Sequence, residues 1–401
     1  MPRRRRGVSK TNASLTLLTL LVLVILGIYY GLTGRDPGGI FSPGTEPPTV
    51  PVVTQQSPVV NPPTAVNASG AWWEVYFTDP VHVKDPADWK SSIEGRLIEK
   101  INAAQTSIHI ASFEFDLTPV AEALIAAKQR GVDVRWVTDD EHGLEADAEP
   151  GHGQFALLQN AGIEVRSDNR SALMHNKFWI FDNQIVWTGS TNVTESGIFK
   201  QDNNTIVFQS PELAAIYERE FQEMWDGQFG PRSPSQLAEQ SVVVNGTPIQ
   251  VVFTSEDHAI AESIIPVVRS ATKSIRFLAF SYTNSPLAEA MIQRAQNGVD
   301  VAGVFEKVGS DTEAAELKSL FCAQIPVRQD GNSSFMHNKV IVVDERFVIT
   351  GSLNFSANAE ESNDENVIII DNPDIAKLYL LDFDRVWALA TDPQPGEIIC
   401  E

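Results

Sequence analysis

The fold of this protein is decided by the stretch His175-Asn176-Lys177, followed at fixed spacing by Asp182 and by Gly189-Ser190-Thr191-Asn192. The same phrase recurs 162 positions later as His337-Asn338-Lys339, Asp344 and Gly351-Ser352-Leu353-Asn354. A second matching stretch follows each copy, Asp202-Asn203-Asn204 and Asp364-Glu365-Asn366. This repetition predicts a single site that is assembled from two equivalent half-sites.

The duplication extends beyond the phrase. Residues 107–134 and 274–301 align without a gap and share Gly-Val-Asp-Val at their ends. Each copy predicts a strand (107–115, 274–282), a helix (118–130, 285–297) and a second strand (132–138, 299–305). Strands that alternate with helices indicate βαβ units and a largely parallel or mixed sheet.

The phrase itself predicts a hairpin in each half. His175–Asp182 and Ile185–Thr188 form the first, and 337–344 and 347–350 form the second. Further strands are expected at 204–208 and 366–370, followed by amphipathic helices at 211–226 and 373–388. The fold class predicted is therefore α/β, with two duplicated α/β/α half-domains related by a pseudo-twofold axis. We assign residues 71–227 to the first half, 228–248 to a linker and 249–401 to the second half.

The N-terminal region has a different composition. A cluster of arginines, Arg3 to Arg6, precedes a run without charged residues from Ala13 to Leu32. This run is long enough to cross a bilayer as a helix, and the basic cluster would keep residues 1–35 anchored with the N-terminus in the cytoplasm. A cleaved signal peptide is the alternative, but no A-x-A-like site follows the run. Residues 36–70, which are rich in proline, are expected to form an extended linker.

Charge and cysteine content limit the function classes. The formal net charge is −22, and all of the acidic excess lies after residue 70, where 50 Asp/Glu stand against 24 Lys/Arg. Such a body repels polyanions at long range, which counts against a protein that wraps nucleic acid. The two cysteines, Cys322 and Cys400, fit no metal-ligand spacing. They could pair outside the cytosol or remain free thiols, and the sequence leaves both alternatives open.

The residue types of the phrase point to phosphoryl chemistry. Residues two apart on a strand project from the same face, so each histidine is expected beside its lysine. Two imidazoles, two ammonium groups and the amides of Asn192 and Asn354 suit a tetrahedral phosphoryl anion. Ser190 and Ser352 are candidate substrate-binding residues beside them. Asp182 and Asp344 belong to the candidate catalytic set, although their position favours a structural role as ion-pair or turn partners.

The phrase matches a known signature. The pattern H-x-K-x4-D-x6-G-S-x-N, met in full at both sites, resembles that of the phospholipase D superfamily, and the likeness covers about residues 71–390. The resemblance implies duplicated halves packed about a pseudo-twofold axis. It also implies phosphodiester cleavage through a phosphohistidine intermediate, without a metal or other cofactor.

One position distinguishes the halves. The family commonly has an acidic residue shortly after G-S-x-N that orients the catalytic histidine, and the second half has Glu365 there whereas the first has Asn203. On the expectation that each residue serves the histidine of its own half, Glu365 would favour the imidazolium of His337. The hypothesis is therefore that His175 is the nucleophile and His337 the general acid. Asp202 could supply a carboxylate to the first half instead, which would remove the distinction.

Two further features call for interpretation. Asp139-Asp140-Glu141-His142 follows a predicted strand, and we interpret it as a solvated loop near the pocket mouth rather than a metal cluster. His109, inside a strand, is expected to be a packed core histidine.

The prediction from sequence is a membrane-anchored, extracytoplasmic phosphodiesterase of the phospholipase D type that acts on a glycerophospholipid and works as a monomer. A nuclease of the same superfamily, a phosphatidyl transferase similar to cardiolipin synthase and a catalytically silent binding module are the alternatives. The acidic body and the membrane tether favour lipid over nucleic acid as the partner.

Overall fold

The computed structural model describes residues 63–394, 396 and 398–400, which belong to one compact unit of the chain, Asn61–Glu401. The predicted membrane segment, the basic tail and most of the predicted linker lie outside the described residues. Within the described part of the chain, no helix is both long enough and apolar enough to cross a bilayer.

Two eight-stranded mixed sheets form the framework, and they have the same strand order. In the first sheet the order is β1-β2-β8-β7-β6-β3-β4-β5. Its strands are β1 (Ala68–Ser69), β2 (Trp73–Phe77), β3 (Ser107–Ser112), β4 (Asp133–Thr138), β5 (Glu164–Ser167), β6 (Lys177–Phe181), β7 (Ile185–Gly189) and β8 (Asn204–Gln209). Strands β3, β4 and β5 pair in parallel, and the other pairs are antiparallel.

The second sheet repeats this arrangement, in the order β9-β10-β16-β15-β14-β11-β12-β13. Its strands are β9 (Ser241–Val244), β10 (Thr247–Thr254), β11 (Ser274–Ala279), β12 (Asp300–Phe305), β13 (Val327–Gln329), β14 (Lys339–Val343), β15 (Phe347–Gly351) and β16 (Glu365–Asp371). The duplicated halves and the α/β class predicted from the sequence are confirmed.

The helices form layers against these sheets. They are α1 (Ile93–Ala103), α2 (Thr118–Gln129), α3 (Gln154–Asn160), α4 (Glu195–Phe199), α5 (Pro211–Trp225), α6 (Ile265–Arg269), α7 (Ser285–Gln296), α8 (Lys307–Ser310), α9 (Leu317–Cys322), α10 (Ala357–Glu361) and α11 (Pro373–Leu389). Short 3-10 or π segments lie at Pro86–Ser91, Asp140–Glu145, Ala146–Ala148, Gly230–Arg232, Leu237–Glu239 and Ile260–Ile264.

One hydrophobic core unites the two halves. Helices α5 and α11 pack in the same buried cluster as one face of each sheet. The other face of the first sheet is covered by α1, α2 and α3, and that of the second by α6, α7 and α9. Because both faces of each sheet are covered, the central strands are continuous apolar runs such as Phe178–Phe181 rather than alternating patterns.

Local sequence signals explain most element boundaries. The N-cap side chains of Ser210 and Asn372 accept backbone hydrogen bonds from the first turns of α5 and α11, as the capping preference predicts. Gly131 and Gly298 have φ values of +95° and +86° just beyond α2 and α7, which is the left-handed conformation that favours glycine at helix ends. Strand β3 ends at Ser112, three residues earlier than predicted, and Phe115 then forms an isolated parallel bridge with Val193.

The structure corrects the catalytic candidates Asp182 and Asp344. Both lie at the far end of their strands from the lysines, in turns where they adopt positive φ. The Asp182 carboxylate accepts hydrogen bonds from the backbone N–H groups of Gln105, Thr106 and Ser107. Asp344 binds residues 272–274 in the same way. Each carboxylate therefore ties its hairpin to the loop before the neighbouring strand, and neither reaches the site.

The two cysteines are paired. Cys322, at the end of α9, forms a disulfide with Cys400. This bond ties the C-terminal residues to the outer layer of the second half. Of the two alternatives that the sequence leaves open, the structure has the disulfide.

We expect Asp182→Ala to lower the free energy of unfolding by about 2–3 kcal/mol, because it deletes hydrogen bonds that a charged acceptor makes to several backbone donors. Although partial burial acts in the opposite direction, these hydrogen bonds hold the pKa of Asp182 below its ordinary value. The stabilisation is therefore complete above the unfolded-state pKa and disappears as the pH falls through the folded-state pKa. Urea titrations at neutral and acid pH measure both effects.

Glu122→Ala, at an exposed position on α2, is the control for that experiment and should change the stability by less than about 0.5 kcal/mol. An Asp182→Ala protein as stable as the natural one would contradict the structural role.

Candidate active site

The two halves meet along a seam of reciprocal backbone contacts. The N–H of His175 donates to the carbonyl oxygen of Asp364 at 2.9 Å, and the N–H of His337 donates to that of Asp202 at 2.8 Å. Met174 and Asp364 form a parallel bridge, as do Asp202 and Met336. Because each contact has its counterpart in the other half, the seam has the character of an isologous interface within one chain.

An amide ladder reinforces this seam. The side chain of Asn204 donates to Asn338 Oδ1 at 2.8 Å, and that of Asn366 donates to Asn176 Oδ1 at 2.9 Å. The hydroxyls of Thr188 and Thr350 donate to Asn366 and Asn204 across the seam. These roles were not predicted from the sequence. The signal for them is that Asn176, Thr188 and Asn204 all recur 162 positions later, as Asn338, Thr350 and Asn366.

The seam brings the predicted histidines and lysines together. The Nζ atom of Lys177 lies 2.9 Å from the carbonyl oxygen of His175, and that of Lys339 lies 2.8 Å from the carbonyl oxygen of His337. All four side chains are buried. Burial lowers the pKa of both histidines well below the ordinary value, and the charges of both lysines lower it further. Burial also lowers the pKa of Lys177 to about 8.

The partners of the two histidines are exchanged between halves, which corrects the prediction. The Nδ1 atom of His175 lies 2.6 Å from Glu365 Oε2, and Nδ1 of His337 lies 2.9 Å from Asn203 Oδ1. The exchange arises because the residues just before β8 and β16, Asp202 and Asp364, contact the opposite half. Asn203 and Glu365, which follow them, therefore lie beside the histidine of that opposite half. Asp202 does not take the place of either partner, because its carboxylate accepts from Asn332 and pairs with Arg385.

An aromatic ring supports each histidine. The ring centroid of Phe113 lies 4.8 Å from that of His175, and that of Phe280 lies 4.6 Å from that of His337, both edge to face. The same rings lie 5.0 Å from Lys177 Nζ and 4.7 Å from Lys339 Nζ. Both phenylalanines directly follow the segments Ser107–Ser112 and Ser274–Ala279 and were not singled out from the sequence.

The remaining predicted residues divide into two groups. Ser190 and Ser352 are fully buried, and their hydroxyls are engaged by Asn203 and by the N–H of Asn366. The prediction that they bind substrate is therefore wrong. Asn192 donates to Glu114 at 2.9 Å, whereas the Asn354 side chain has no hydrogen-bond partner among the described residues and is free to bind a ligand.

The loop after β4 contains acidic side chains that lie close to the segment before His175. Asp139 is buried and accepts hydrogen bonds from the N–H groups of His142 and Met174, so the interpretation of the whole stretch as a solvated loop is wrong for this residue. The carboxylates of Asp139, Asp140 and Asp168 approach within 4.8 Å of one another. Burial raises the pKa of Asp168 to about 6, with Asp139 contributing. His109, as predicted, is buried, with its Nδ1 atom 2.9 Å from Glu218.

The fold and the paired histidine–lysine clusters define a duplicated α/β protein with one composite site. The chain belongs to the phospholipase D superfamily, since the family model described as "Cardiolipin synthase, PLD-like domain" matches residues 97–225 and 264–387.

Individual relatives agree with this membership. Mitochondrial cardiolipin hydrolase of Homo sapiens is 35% identical over 137 residues, which cover 34% of this chain and 52% of the relative. Phospholipase D of Rickettsia prowazekii is 34% identical over 117 residues, which cover 29% of this chain and 57% of the relative. The chain thus spans little more than half the length of these curated relatives.

A solved structure shares the fold over most of the chain. The phosphatidylserine synthase of Haemophilus influenzae superimposes with a TM-score of 0.57, covering 79% of this chain and 87% of that one at 16% identity.

The electrostatic coupling in the site can be measured by nuclear magnetic resonance of the imidazole nitrogens. We expect Lys177→Met to raise the pKa of His175 more than Lys339→Met does, and the reverse order for His337, because removing the nearer positive charge relieves more of the repulsion. Lys200→Met, which removes an exposed lysine paired with Glu195, should leave both pKa values unchanged. Histidines that do not respond to either substitution would show that the two clusters are uncoupled.

Proposed function

We propose that this protein is a phosphodiesterase of the phospholipase D type, which hydrolyses a phosphodiester through a phosphohistidine intermediate. The observation that carries the proposal is the seam itself, which places two oriented imidazoles and two lysines in one buried cluster. The two halves are related by a local twofold axis through the seam, and because both motifs belong to one chain, a monomer suffices.

In the first step, Nε2 of His175 attacks phosphorus and forms a P–N bond while the P–O bond to the leaving alcohol breaks. His337 donates a proton to the departing oxygen. The ammonium groups of Lys177 and Lys339 and the amide of Asn354 stabilise the charge on the non-bridging oxygens.

In the second step, His337 removes a proton from water, whose oxygen attacks phosphorus. The P–N bond breaks, which releases the phosphomonoester and restores His175. Water and alcohol differ only as acceptors here, so a phosphatidyl transferase would use the same groups.

The exchange of partners gives the nucleophile assignment a different physical basis. Attack by His175 makes its ring cationic, and the Glu365 carboxylate on Nδ1 stabilises that charge. Burial raises the pKa of Glu365 to about 7, and the positive charge of Lys177 acts in the opposite direction. Ionised Glu365 is therefore favoured above that pH. His337 instead has a neutral amide, that of Asn203, as its partner. Burial and the two lysines lower its pKa, so its imidazolium gives up a proton readily. A bound anionic substrate would raise that pKa again and favour the protonated ring.

The favoured substrate is a glycerophospholipid, and the favoured location is outside the cytoplasm with the N-terminal segment in the membrane. Three observations support this. The run from Ala13 to Leu32 has no charged residue, and the Cys322–Cys400 disulfide suits an oxidising compartment. The net charge of −22 also disfavours a polyanion.

The mechanism is tested by substitution at both histidines. His175→Ala and His337→Ala should each lower kcat by at least about a thousandfold, because each removes a group that makes or breaks a covalent bond. His82→Ala, at a partly exposed histidine paired with Asp79, is the matched control and should keep full activity. Persistent hydrolysis in either catalytic variant would refute the mechanism.

The assignment of roles is tested by rapid acid-free quenching with a 32P-labelled diester. We expect the label in the peptide that contains His175, and accumulation of the intermediate in His337→Ala with a leaving group that needs no proton. Label on His337 would reverse the roles.

The substrate class is tested with the full chain in detergent and chelator, given phosphatidylcholine, phosphatidylglycerol or single-stranded DNA. Lipid hydrolysis is expected, and cleavage of the DNA alone would make the protein a nuclease.

A further inference from the structure

A guanidinium group binds each of the two aspartates of the seam. Arg385, on α11, lies with its Nη2 atom 2.9 Å from Asp202 Oδ1 and its Nε atom 2.7 Å from Asp382 Oδ1. All three of these side chains are buried. In the other half-site, Arg170 forms an ion pair with Asp364. Both aspartates are therefore held through their side chains as well as through their backbone contacts.

The two arginines occupy positions that are not equivalent in the duplicated sequence. Arg170 lies before β6, and the residue 162 positions later is Asn332. Arg385 belongs to α11, and the residue 162 positions earlier, on α5, is Glu223. Duplication alone would give the same residue in both halves. The same contact is instead formed from two different elements of the fold, which indicates that the contact itself is required.

Stability alone does not account for Arg385. Taking a guanidinium group and two carboxylates out of water costs free energy that their mutual attraction seldom exceeds, so a buried ion pair is weak evidence for a stabilising role. What the planar group provides is a fixed geometry, because its nitrogen atoms contact Asp202 and Asp382 from one rigid fork. The position of Asp202 is therefore the property that Arg385 determines.

That position determines the orientation of His337. The carbonyl oxygen of Asp202 accepts the N–H of His337 at 2.8 Å, and Asp202 Oδ2 accepts from Asn332 at 2.7 Å. The next residue, Asn203, has its Oδ1 atom 2.9 Å from His337 Nδ1, and its amide nitrogen donates to the carbonyl oxygen of Gly197. An amide oxygen only accepts, so the neutral ring carries its hydrogen on Nδ1 and has its free lone pair on Nε2.

Asp364 stands in the same relation to His175. Its carbonyl oxygen accepts the N–H of His175 at 2.9 Å, and the Oε2 atom of the next residue, Glu365, lies 2.6 Å from His175 Nδ1. Asp364 Oδ1 accepts from the N–H of Gly230 at 2.7 Å, while Oδ2 faces Arg170. A shift of this aspartate would displace both contacts of the histidine together.

We propose that Arg385 and Arg170 are positioning residues of the reaction, Arg385 for the proton donor His337 and Arg170 for the nucleophile His175. Each guanidinium group acts through the aspartate that it binds. The proposal deepens the proposed function and rests on its assignment of the two histidines. Loss of Arg385 should impair the steps that need proton transfer by His337, and loss of Arg170 should impair formation of the P–N bond.

The test measures release of the leaving group in a single turnover, with the full chain in detergent and in excess over the lipid. Phosphatidylcholine needs a proton donor for its leaving alcohol, whereas phosphatidyl-p-nitrophenol releases a stable anion without one. Arg385→Met should slow release of choline by at least about tenfold and change release of p-nitrophenol by less than about twofold. Arg170→Met should slow both releases by at least about tenfold, because both need attack by His175.

Two further variants complete this experiment. Arg385→Lys keeps a positive charge between the two aspartates but loses the planar fork. It should show the same preference for the p-nitrophenyl ester, and it replaces the methionine variant if that protein does not fold. Arg96→Met, at an exposed arginine paired with Glu99, is the matched control and should alter neither rate.

Nuclear magnetic resonance of the imidazole nitrogens separates failure of this proposal from failure of the proposed function, because it needs no turnover. Above the pKa of Glu365, both neutral rings should carry their hydrogen on Nδ1 in the natural protein. Substitution of Arg385 should change the tautomer of His337 alone, and Arg170→Met that of His175 alone, which supports the positioning roles even if no diester is cleaved. Unchanged tautomers, equal effects on the two leaving groups in the Arg385 variants, or undiminished rates in Arg170→Met would overturn the proposal.

Discussion

The reciprocal pair of backbone hydrogen bonds from His175 to Asp364 and from His337 to Asp202 is the constraint on which the rest of the site depends. Each bond joins a histidine of the site to the residue just before β8 or β16 of the other half. The residue that follows each aspartate, Asn203 or Glu365, is then the hydrogen-bond partner of the same imidazole ring. The orientation of each imidazole is therefore set by the opposite half. Neither half contains a complete site, and the two halves also share one hydrophobic core through α5 and α11.

Burying two lysines beside two histidines is electrostatically unfavourable, and the arrangement has a functional consequence. Desolvation lowers the pKa of all four groups, and the neighbouring positive charges lower those of His175, His337 and Lys339 further. The cluster therefore holds less positive charge than its composition suggests. An anionic phosphoryl group reverses the balance, because it favours protonation of the same groups. Binding of an anion and protonation of the site are thus linked.

The departures from the duplication are as informative as the duplication. Glu365 corresponds to Asn203, which makes one imidazole carboxylate-bound and the other amide-bound. The supporting networks also differ. Asp364 pairs with Arg170, whereas Asp202 pairs with Arg385 from α11. A symmetric scaffold thereby holds a site whose two sides carry different charges.

The sequence by itself determined the α/β class, the duplication and, to within a few residues, the strands and helices that it predicted, whereas β5, β9, β10, β13 and the shorter helices were not predicted. It also identified the histidine–lysine pairs that the fold brings into one cluster. These follow from periodicity, caps and fixed spacing, all of which are local along the chain. Only the tertiary structure decided which residue orients which histidine, that Ser190, Ser352, Asp182 and Asp344 serve the scaffold, and that Cys322 and Cys400 pair. Those relations join residues that are distant along the chain. The spacing of residues in the sequence cannot specify them, because it does not show which residues of one half contact which residues of the other.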